Sequence, residues 1–68
     1  MKINREKENI IKRIAFLEQR LKNSTEGADN IEKEILFLTA SHFSFDSPDD
    51  FEDFDKAMLE AIEELENS

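Results

Sequence analysis

Apolar residues return every three or four positions along three separate stretches of this chain, and that spacing belongs to helices that each bury one face. In the first stretch Ile10, Ile14, Leu17 and Leu21 step by four, three and four, and Ile3 extends the stripe toward the start. A helix is therefore expected over about residues 4–23. Its seam resembles the edge of a coiled coil interrupted by Lys7, but it spans too few heptads for a long one, and a helical hairpin accounts for it. Asn23 to Ala28, holding the only glycine of the chain, reads as the turn.

Asp29 is placed to cap a second helix, with Glu32 three positions on completing a capping box, and Ile31, Ile35 and Leu38 form its inner stripe. This helix is expected over about 30–42. Leu36, Ala40 and Phe43 fall on a second face and Phe37 on a third, a distribution that predicts a helix sandwiched between neighbours. Ile35 to Thr39 would also suit a strand, but a lone strand has nothing here to pair with. Ser47-Pro48-Asp49-Asp50 then sets an N-cap serine before a proline at the first helical position, with two acids in the first turn. The third helix is expected over about 48–66. Phe51, Phe54, Met58, Ala61, Ile62 and Leu65 form its apolar stripe, and Phe45 lies near enough to fold back over its start.

Sixty-eight residues make one domain, 1–68, and a chain of this size buries only about 60% of the surface its unfolded form exposes. With no cysteine to form a disulfide or a thiolate metal site, stability must come from helix packing or self-association. The expected fold class is all-α: a small three-helix unit, a helical hairpin plus an acidic C-terminal helix, packed in a homo-oligomer. Met1 to Lys12 lacks the apolar run of a signal peptide, and no stretch approaches the length of a membrane span. The expected location is the cytoplasm of a bacterial or phage-infected cell, with no membrane partner.

Charge is divided unevenly along the chain. Residues 1–22 carry seven Lys or Arg against three Glu, and residues 23–68 carry fourteen Asp or Glu against two Lys. On helical geometry Asp49, Glu52, Asp53, Glu60, Glu63 and Glu64 share one arc of the third helix, opposite its apolar stripe, with Lys56 alone among them. Fifteen helical residues rise roughly 22 Å, so this arc carries about one net negative charge per 4–5 Å, against about 3.4 Å per phosphate along one DNA strand. A rod of carboxylates at that density suits a basic groove built for phosphates. Part of the pattern has a purely structural origin, because acids favour any helix N-terminus and an acid-rich outer face keeps a small protein soluble. That origin does not extend to Glu60, Glu63 and Glu64, which repel one another at helical spacing.

Arg5, Asn9, Lys12, Arg13, Phe16 and Arg20 gather on the first helix away from its Ile and Leu stripe. Cations around an aromatic are a means of binding single-stranded nucleic acid, but four or five are few, and the acidic remainder repels a polyanion. Direct nucleic-acid binding is accordingly not expected. Phe16 is better suited to dock on an apolar patch, its basic rim meeting an acidic helix. Six phenylalanines exceed what so small a unit can cover, so Phe16, Leu36, Phe37 and Phe43 are the expected hydrophobic anchors or oligomer contacts.

Catalytic and metal motifs fail on inspection. An EF-hand loop begun at Asp46 would set Pro48 at its third place, Phe51 where glycine is needed and Ala57 at its last ligand. His42 continues the line of Ile31, Ile35 and Leu38 and suits a core or capping role. Ser24, Thr25, Ser41, Ser44 and Ser47 lack a base, a single glycine makes no phosphate loop, and Asp49 and Asp53 lie on an exposed helix face unsuited to acid–base catalysis. No enzyme activity, cofactor or metal is expected.

In composition the chain looks like phage-encoded host-takeover proteins, anti-restriction or anti-CRISPR inhibitors and acidic antitoxins. That likeness rests on small size, helical build, absence of cysteine and clustered acids, and it implies a nucleic-acid-handling protein as partner class. The expected function is that of an acidic helical protein-binding module, an inhibitor of DNA-mimic style, that docks its carboxylate-rich helix on a basic protein surface. An oligomerising assembly or adaptor subunit working through the apolar second helix is the alternative. A third reading has Arg13 or Arg20 meeting a small anionic ligand between copies.

Overall fold

A computed structural model describes residues 2–24 and 26–67. Met1, Thr25 and Ser68 lie outside the described residues, and with Thr25 goes the middle of the expected Asn23–Ala28 turn. The described chain is all-helical, with α1 over Arg5–Asn23, α2 over Ala28–His42 and α3 over Pro48–Glu66. No helix is long and apolar enough to cross a membrane.

Each helix begins where local chemistry allows it. Asn4 caps α1, its side-chain oxygen accepting the Lys7 backbone N–H at 2.8 Å, while Glu6 and Glu8 in the first turn and Arg20 and Lys22 in the last complement the helix dipole. α3 starts as expected, with extended Ser47 at the N-cap and Pro48 directly after it, although the serine hydroxyl makes no capping bond. Asp50 instead reaches back and accepts the Asp46 backbone N–H at 3.2 Å. α2 departs from the capping box: its N-cap is Gly27 in the left-handed region, φ +74°, which places Asp29 inside the first turn. The left-handed residue reverses the chain in a few positions, so the helix starts earlier than a box at Asp29 would allow.

A Cβ on Gly27 would meet nothing within 4 Å, so substitution there is opposed by backbone conformation alone. Gly27→Ala is expected to cost about 1 kcal/mol, lowering the melting temperature by roughly 4–8 °C, with Gly27→Asn recovering part of the loss. Thermal melts by circular dichroism test this, and an unshifted Ala variant would contradict a left-handed Gly27.

The central helix is α1. It packs against α2 on one side and α3 on the other, and the described residues of α2 and α3 do not pack on each other. This overturns the expectation that α2 is the sandwiched element. The reason lies in α1 itself: beside the stripe of Ile10, Ile14, Leu17 and Leu21 it carries Ile11 and Ala15 on an adjoining stripe, so its apolar arc is wide enough for two neighbours. Ile11, Ile14, Ala15 and Leu17 are all buried, whereas α2 has no buried residue. Ile35 and Leu38 of α2 pack on the core only in part, as do Phe54, Ile62 and Leu65 of α3 around buried Met58 and Ala61.

Two phenylalanines exchange the roles expected of them. Phe43, expected outside, is buried, because the helix ends at His42 and Phe43 adopts an extended conformation (φ −128°, ψ 145°) that turns its ring inward onto Phe54, centroids 4.9 Å apart. Phe51, expected in the buried stripe of α3, is 59% exposed and touches Phe45 edge-on at 5.7 Å. Phe45 also meets Phe54 at 5.2 Å, so it does fold back over the start of α3.

Candidate partner-binding surface on the third helix

Pro48 and the two acids after it launch α3 as one uninterrupted rod of 19 residues. Asp49, Glu52, Asp53, Glu60, Glu63 and Glu64 are all exposed on it, as is Lys56. One side of the arc rims a cleft against α1, where Asp53, Lys56, Glu60 and Glu64 face Glu8 and Lys12. The other side turns away from α1 and carries Glu52 and Glu63. No basic residue lies in the last turn of α3, so its carboxylates sit unfavourably against the negative end of the helix dipole. Together with like-charge repulsion at helical spacing, this makes the C-terminal acids of the arc, Glu63 and Glu64, a cost to the free chain.

Sequence reasoning passed over Leu59. It is 62% exposed, on the free side of α3. Asp55 and Glu63 lie one turn from it on either side, and Glu52 and Glu66 lie two turns from it, so a bare leucine stands within a ring of carboxylates. Its position about 100° off the buried stripe was the available signal, obscured because an apolar residue on an amphipathic helix is ordinarily counted inward. Phe51 joins it as a second exposed apolar group on the same helix.

The basic residues of α1 do not form one undivided face. Arg5, Lys12, Arg13 and Arg20 are all exposed, but the two helices beside α1 divide them. Lys12 pairs with Glu8 at 3.6 Å and lines the α3 cleft, while Arg13 pairs with Glu34 of α2 at 3.6 Å and lays its guanidinium 5.8 Å from the Phe16 ring centroid. Phe16 is 45% exposed, and the Arg13 guanidinium over its ring competes with a partner for that face. Leu36 and Phe37 stand out from α2 at 68% and 67% exposure. Phe43, in the core, contributes to no surface, and His42 is exposed at the last turn of α2 with no place in the core. Among the described residues no group of three or more His, Asp or Glu is disposed to hold a metal ion.

No protein family, curated protein or solved structure matches the chain. Function must therefore be argued from these surfaces.

Proposed function

We propose that this chain is a protein-binding module that lays α3 on a basic surface, blocking a nucleic-acid-handling protein in the manner of a DNA mimic. The observation that carries the reading is exposed Leu59 within its ring of acids, beside the arc of six carboxylates. A carboxylate field steers a basic partner and sets the rate of encounter, but charge alone rarely holds a complex, which needs a desolvated apolar anchor. On α3 the two occur on one helix face, where the leucine is costly to leave in water and the neighbouring acids repel one another. Phage-encoded inhibitors and acidic antitoxins are the classes whose general style this resembles, and a cytoplasmic setting follows from such a partner.

The test is capture from bacterial lysate on the immobilised chain, followed by competition with duplex DNA for each captured protein. The expected result is a DNA-binding protein that the chain and DNA hold in mutually exclusive complexes, with binding that weakens steeply between about 0.1 and 0.5 M salt. Reversal of Glu60, Glu63 and Glu64 to Lys should abolish capture with helicity retained, and Leu59→Glu should weaken it at least ten-fold. Capture that survives the triple reversal, or a partner that binds DNA and the chain together, would overturn the reading.

A further inference from the structure

We infer that the outward face of α2 is the docking surface for a second copy of this chain, in a two-fold antiparallel α2–α2′ pair. The molecule is more open than a compact protein of its mass. It exposes 5230 Å² at 8.0 kDa, whereas the usual scaling gives about 4,450 Å². Its radius of gyration is 12.1 Å against an expected value near 11 Å. The excess surface is close to the ~800 Å² that one partner contributes to a standard interface.

Charge decides where that surface is covered. A two-fold contact sets each face against itself, so a face with net charge repels its own copy. The exposed arc of α3 is strongly negative and the outer side of α1 is positive, and both are excluded on that ground. The outward side of α2 carries Asp29 and Lys33, which cancel, around Leu36, Phe37 and Ala40, with Glu32 at its edge one turn before Leu36. It combines a nearly balanced charge with two large apolar side chains about two-thirds exposed. A two-fold axis passing between Leu36 and Phe37 brings each onto the other's counterpart, and Ala40, exposed and small, lets the two backbones approach. The pair leaves both α3 helices facing outward, so the dimer offers two acidic arms, a property independent of what those arms bind.

Light scattering after size exclusion on the full chain, at about 50 mM and about 500 mM salt, tests the inference. The expected result is a dimer of about 16 kDa, twice 8.0 kDa, at both salt concentrations. Phe37→Glu and Leu36→Glu should each weaken the dimer at least ten-fold with unchanged helical circular dichroism, Phe37→Leu should preserve it, and reversal of Glu60, Glu63 and Glu64 to Lys should leave it intact. Three results would overturn the inference: a wild-type monomer at 100 µM and above on the scale of ordinary transient association, a dimer that high salt dissolves, which would signal α1 meeting α3′, or a dimer that persists in Phe37→Glu.

Discussion

Ile14→Ala is expected to remove about half of the folding stability of the chain. Ile14 is 1% exposed and, with Ile11, one of the two largest fully buried side chains. Removing such a group costs about 2–5 kcal/mol once the residual cavity is included, against a total stability of roughly 3–10 kcal/mol for a chain of this length. The architecture sharpens the effect. Among the described residues α2 and α3 each pack on α1 and not on one another, so loosening its centre weakens both interfaces together and leaves no separate pair of helices to hold the rest. Urea unfolding followed by far-ultraviolet circular dichroism should show the midpoint falling to about half of its parent value. A variant within about 0.5 kcal/mol of the parent would mean that α1 is not the shared core element.

The second large effect separates Phe43 from Phe51. Phe43→Ala should cost about 3–5 kcal/mol, since its ring is buried among Ile11, Ile14, Met58 and Ala61 and packs edge-on against Phe54. Phe51→Ala should cost no more than the roughly 0.5–1.5 kcal/mol of one aromatic pair, because its ring is mostly in water and touches Phe45. Paired unfolding curves read the difference directly. Equal costs, or a larger cost at Phe51, would contradict the placement of both rings. The contrast matters for function as well, because a ring that holds the core is not available to a partner.

These two residues also mark where sequence reasoning reached its limit. Counted at 100° per residue, Phe43 falls on an outer face of α2 and Phe51 within the α3 stripe. Phe43 lies one residue past the last helical turn, where the rotation no longer applies. Phe51 lies inside α3, near its start, where the neighbouring helix does not cover it. The acidic arc was more legible. Its six carboxylates share one face because α3 is a continuous helix, and each is exposed where the count placed it. The basic residues of α1 were legible as exposed, but their division between the Glu34 pair and the α3 cleft depends on where two other helices lie.

Helix number, helix limits to within two residues and the side of each helix that carries charge were determined by the sequence alone, because capping, proline, glycine and apolar period act over one or two turns. Tertiary structure decided which helix occupies the middle and which apolar residues stay in water. An apolar side chain is buried only if another element arrives over it, and α1, whose apolar arc spans two adjoining stripes, took both neighbours. Leu36, Phe37, Phe51 and Leu59 were left exposed by that single choice of centre, and they are the surfaces on which the proposals for this protein rest.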